Sequence, residues 1–108
     1  MDIVFHAHHA AVSPNMRRRA ESTMRRVARR AARPLDATVR FISDGPTRCV
    51  ELALHTSSGM RFVSRAESRY FGPALAEAAR RLTMQLDHRK RTPKARGGGR
   101  RTARARVA

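Results

Sequence analysis

Between residues 36 and 66 apolar side chains return at every second position, and the pattern breaks only where the chain can turn. Ala37, Val39 and Phe41 alternate with Thr38 and Arg40; Val50, Leu52 and Leu54 alternate with Glu51 and His55; Phe62 and Ser64 alternate with Arg61, Val63 and Arg65. Period two marks strands that bury one face and wet the other. The breaks, Asp44-Gly45-Pro46 and Ser57-Ser58-Gly59, are turn chemistry. The spacing therefore predicts strands at about 36–43, 47–55 and 60–66, joined by two hairpins into an antiparallel meander. Its single apolar face has to be covered by something else in the chain.

The flanking segments supply the cover. Residues 2–8 alternate as a further strand, with Ile3 and Phe5 on one face and Val4, His6 and His8 on the other. Ser13-Pro14 then gives an N-cap followed by proline at the first helical position, and Arg33-Pro34 closes a helix of about 14–33. Within it Met16, Ala20, Met24, Val27 and Ala31 form one stripe, a core stripe and not a binding groove, while Arg18, Ser22, Arg25, Arg29 and Arg33 fall opposite with Arg26 beside them. A second helix is predicted from near Tyr70–Pro73 to about 90, with Phe71, Leu75, Ala78, Ala79, Leu82 and Leu86 on its apolar side and Arg80, Arg81, His88 and Arg91 away from it. Tyr70 and Phe71 are expected to anchor this helix to the sheet, although an exposed Tyr70 could stack on a base. The element order β-α-β-β-β-α, with one apolar face per element, predicts an α+β fold: a single domain in which two helices pack on one face of a four-stranded sheet.

Charge decides the class of partner. The 108 residues hold 24 Lys/Arg against 8 Asp/Glu, a formal charge of +16, which points to a polyanion. Residues 88–108 contain nine Lys/Arg and no acid, whereas residues 1–87 contain fifteen against all eight acids, with eight of the fifteen between Arg17 and Arg33. The Thr92-Pro93 pair and Gly97-Gly98-Gly99 among arginines cannot build a core, so residues 1–91 are expected to form the domain and 92–108 a disordered Arg-rich tail. Twenty-two of the cations are Arg, a bias that genome composition could cause as readily as the guanidinium's fit to phosphate. Aromatics are 5% with no Trp, which disfavours single-strand binding on stacked rings.

With the element order in hand, several stretches resemble the short ribosome hibernation promoting factors, also called ribosome-associated inhibitor proteins. They are Met1-Asp2-Ile3-Val4-Phe5, the helix entry Val12-Ser13-Pro14-Asn15-Met16-Arg17, the Gly59 hairpin before the second helix, and Leu82-Thr83-Met84-Gln85-Leu86-Asp87-His88-Arg89-Lys90, which is similar to the family's Leu-x-x-Gln-Leu-x-x-x-Lys helix end. The resemblance covers about residues 1–91. It implies a domain that occupies the messenger and transfer RNA channel of the small ribosomal subunit, blocking translation through contacts with 16S ribosomal RNA. Its basic helix residues map onto Arg18, Arg25, Arg26, Arg29, Arg80, Arg81, Arg89 and Lys90. Long members carry a further domain that pairs ribosomes, for which a chain of this length leaves no room; a monomer off the ribosome is expected. The sequence departs from the family where Asp-x-Tyr-x-Ala-Ile-Asp usually opens the second helix. Here Tyr70-Phe71-Gly72-Pro73-Ala74-Leu75-Ala76 lacks the acids, and Pro73 could delay the helix start. The first segment likewise has Ala7-His8-His9 in place of a Gly-Asn pair.

Other chemistry has little to stand on. His6 and His8 share a strand face, but no third or fourth metal ligand is evident in the sequence. Cys49 has no accompanying histidine-and-acid set, and the acids are scattered, so no catalytic residue, metal, cofactor or small-molecule substrate is expected. The opening residues lack the apolar run of a signal peptide and no 18 apolar residues run together, so the expectation is a cytoplasmic protein that does not enter a membrane. Two alternatives stay open at this point. One is a double-stranded-RNA-binding module, whose α-β-β-β-α order resembles residues 14–90; the other is an interaction protein that docks through its basic tail.

Overall fold

The computed structural model describes residues 1–91, with side chains through Arg89. The element order is β1 (Asp2–His8), α1 (Pro14–Ala28), β2 (Pro34–Asp44), β3 (Thr47–Thr56), β4 (Arg61–Ser68) and α2 (Phe71–Arg91). The strands lie side by side in chain order. β1 runs parallel to β2, and β2–β3 and β3–β4 are antiparallel. Parallel neighbours need a crossover, and α1 is that crossover. The expected α+β arrangement of two helices on one face of a four-stranded sheet is what the chain adopts. The tail expected to be disordered lies outside the described residues.

The core is the predicted one. Ala37, Val39 and Phe41, Val50, Leu52 and Leu54, and Ser64 and Ala66 point from the sheet into the helices; Ala20, Met24 and Val27 meet them from α1, and Leu75, Ala78, Leu82 and Leu86 from α2. Phe41 and Phe71 meet edge to face with centroids 5.2 Å apart, which ties the start of α2 to the second half of β2. Tyr70, expected beside it as an anchor, is instead 68% exposed. The buried Ser64 hydroxyl donates to the Ala78 carbonyl at 2.6 Å, so this buried polar side chain has a partner.

Both helix starts follow the sequence, and one helix end does not. Ser13 accepts from the Met16 N–H at 3.1 Å with Pro14 in the first turn. Pro73 falls within the first turn of α2, where a missing N–H costs nothing, so that helix begins at Phe71 without delay. α1, however, stops at Ala28 and not near residue 33. The N–H groups of Arg29, Arg30 and Ala31 bond three residues back, to Arg26, Val27 and Ala28, and Arg33 takes φ +54°. The tightened turn brings the chain round to Pro34, where β2 starts earlier than the alternation suggested, and the Arg33 carbonyl accepts from the Ser57 N–H at 3.0 Å.

Candidate nucleic-acid interface

The register divides the charged residues between two sides. On the outer sheet face, β1 contributes Asp2, His6 and His8, β2 Asp36, Arg40 and Asp44, β3 Glu51 and His55, and β4 Arg61, Arg65 and Glu67. Five of the eight acids are therefore here, against three arginines. They pair across and along the strands: Asp36 with His55 at 2.8 Å, Glu51 with Arg40 at 3.7 Å, Glu67 with Arg65 at 3.6 Å. Cys49 also belongs to this face but is buried between its neighbours, and burial pushes its thiol up from the usual range. Among the described residues no three His, Cys, Asp or Glu side chains come together as a metal set.

The helix side is different. α1, the turn after it and α2 carry thirteen Lys/Arg and only Glu21, Glu77 and Asp87. Each of those acids is held by arginine. Glu21 takes both Arg25 nitrogens at 3.2 and 3.1 Å. Glu77 accepts from Arg80 and from Arg81 Nε at 3.0 Å. Asp87 takes Arg30 Nη1 at 2.9 and 3.1 Å, a bridge from the end of α1 to α2. The two guanidinium groups hold the Glu77 carboxyl down, chiefly through the Arg80 hydrogen bond, from the usual 4.5 to about 2. Two contacts set the relative direction of the helices. Arg19 lies over Gly72 at the start of α2, where an added Cβ would be 3.2 Å from its Nη1, and Arg30 reaches Asp87 near the far end. The helices therefore run side by side in the same sense, and their C-terminal ends, which attract cations, lie at one end of the layer.

The sequence-derived contact residues divide accordingly. The side chains of Arg26, on α1, and of Arg29, at its C-terminal cap, are exposed and make no hydrogen bond or ion pair among the described residues. Arg18 bonds the Asn15 side chain one turn back. Arg25 is tied to Glu21, Arg80 to Glu77, and Arg81 is the most constrained, because beyond Glu77 its Nη1 donates to the Arg65 carbonyl of β4 at 2.6 Å. Arg89 lies with Arg30, Met60, Phe62 and Leu86 around a shallow cleft between the turn after α1 and the β3–β4 hairpin. Lys90 belongs to α2, and its side chain is outside the described residues. The structure adds Arg17 and Arg19 to the exposed cations of α1, the first 5.0 Å over the Phe5 ring. Neither lies on the helical arc opposite the core stripe, which is why periodicity passed over them.

Comparison with known proteins agrees with this architecture. The model of the family described as Sigma 54 modulation protein / S30EA ribosomal protein matches residues 3–94. A ribosomal subunit interface protein from Coxiella burnetii is 18% identical with a TM-score of 0.74, over 84% of this chain and 99% of that one. The N-terminal domain of Thermus thermophilus Protein Y is 20% identical with a TM-score of 0.71, over 82% and 98%. At these identities the likeness is one of fold. No curated protein matches the chain.

Proposed function

The chain belongs to the Sigma 54 modulation protein / S30EA ribosomal protein family, and from that premise we propose that it is a hibernation factor that binds the small ribosomal subunit through 16S ribosomal RNA and inhibits translation by occlusion. The observation that carries this reading is the one-sidedness of the charge. A cationic helix layer whose three acids are all matched by arginine backs onto a sheet face that holds more acids than arginines. RNA phosphates are attracted to the first and gain nothing from the second. Arg26 and Arg29 carry the largest share of the contact because no bond has to break before they meet a phosphate. Arg18, Arg25, Arg80, Arg81, Arg89 and Lys90 contribute at the margins, and the basic tail adds affinity without choosing the site. The protein acts by occupying space in the cytoplasm, as a monomer and not as an enzyme.

Sedimentation with purified small subunits tests the reading. Co-migration at low salt is expected, with affinity falling by orders of magnitude between roughly 50 and 200 mM salt if six or more phosphates are neutralised. The chain cut after residue 91 keeps its footprint on 16S RNA and loses part of its affinity. Failure to co-migrate at low salt, or equal affinity for any duplex RNA, sinks the proposal; the second result favours a double-stranded-RNA-binding module. Complete loss on removing residues 92–108 favours the tail as the binding element.

A further inference from the structure

The two edges of the sheet are treated differently. Along β4 two outward carbonyls are taken by α2: Gln85 Nε2 donates to Val63 O and Arg81 Nη1 to Arg65 O, both at 2.6 Å. Another strand could join that edge only by displacing both side chains. β1 is the opposite edge, paired with β2 alone. From Asp2 to His8 no side chain among the described residues bonds its outer peptide groups, and Val4 is 48% exposed.

α1 runs along this uncovered edge. Arg17 lies over Phe5, and Arg25 Nη1 donates to the Met1 carbonyl at 3.5 Å, so the row Arg17, Glu21, Arg25 follows β1 from its middle back to its start. Shallow grooves open at both ends of the row. One is lined by Phe5, Val12, Pro14, Arg17, Arg18 and Glu21; the other by Met1, Arg25, Ala28, Arg29 and Pro34. Glu21, the only acid in the row, is already matched by Arg25.

We propose that the outer edge of β1 receives an extended acidic peptide as a fifth strand, its main chain on β1 and its carboxylates on Arg17, Arg18 and Arg29. A strand edge offers donors and acceptors in alternation, which a peptide complements at every position. RNA phosphates only accept, so an RNA backbone could meet the β1 carbonyls through its 2′-hydroxyls alone and would set its anionic oxygens along the same edge. A second copy of this chain would bring its own arginine row against the first. The charge and the hydrogen-bonding pattern together therefore select an acidic polypeptide. This site uses the edge of the layer, and the inference stands whether or not the chain binds ribosomes.

The test uses the full chain, labelled for amide spectra, and a blocked hexapeptide of alternating Glu and Val. Slowed exchange and shifted signals are expected at β1 amides, with β4 unchanged. Two further peptides, N-methylated on one or the other alternate set of residues, separate strand pairing from charge. One is expected to lose about tenfold or more in affinity and the other to match the parent, because only one set faces β1. A Lys-Val counterpart should leave the β1 signals unmoved. Equal binding by both methylated peptides, or perturbation confined to residues outside β1, overturns the proposal. Stronger protection of β1 by an oligouridylate of equal charge overturns it as well and assigns the edge to RNA.

Discussion

At the scale of single residues, the arginines are distinguished by what already holds them. Glu77 is the clearest case, a carboxylate between Arg80 and Arg81 with its folded value near 2 against an ordinary 4.5. Because the folded value is the lower one, the stability this group contributes is complete above about 4.5 and disappears as the pH falls through about 2. Urea melts of the wild type and Glu77→Gln should therefore differ at neutral pH and converge toward pH 2; a gap that stays constant would place the effect outside ionisation. The same variant frees Arg80 from its carboxylate while Arg81 stays on the Arg65 carbonyl, so its RNA affinity should rise and its stability fall slightly. Gly72 makes a second test. A Cβ there would meet only the exposed end of Arg19 at 3.2 Å, and Arg19 can swing aside. Gly72→Ala is expected to stabilise the fold by about 0.5 kcal/mol through the lower entropy of the unfolded chain. A loss in chemical denaturation would show that the seat of Arg19 over the helix start matters more.

At the scale of elements, helix starts and strand faces follow local chemistry, whereas the end of α1 follows the sheet. Ser13→Ala removes the side-chain acceptor of the Met16 N–H at the start of α1 and should cost about 1 kcal/mol in a thermal or urea melt, with the fold retained. Leu82→Ala, which empties a fully buried site where α2 meets the sheet, should cost about 2–5 kcal/mol. The premature stop of α1 could not be seen in the periodicity, because Ala31 continues the apolar stripe and still packs against the core. What ends the helix is the position of β2 and the bond from Ser57 N–H to the Arg33 carbonyl, made by a residue distant in sequence. Tyr70 is a similar case. Beside Phe71 it looked like an anchor, yet successive helix-start residues point in different directions and only one can reach Phe41.

At the scale of the whole molecule, the two faces carry opposite expectations. Arg26→Glu with Arg29→Glu should weaken small-subunit binding by at least about tenfold. Arg61→Glu with Arg65→Glu, the same change in net charge on the outer sheet face, should alter it little when both are measured by filter binding at one salt concentration. Equal losses would mean that net charge, and not its placement, governs binding. The strand alternation, the turn residues, the Ser13-Pro14 start and the apolar stripes determined by themselves the element order, the core and the cationic character of both helices, because each is a property of near neighbours in the chain. Which arginines stand open and which are held was decided only by the tertiary structure. The Arg30–Asp87 bridge joins residues 57 positions apart, and the Arg81 and Gln85 bonds to β4 join residues 16 and 22 apart. Such pairs form only after the sheet has brought distant segments together, so no pattern along the chain records them.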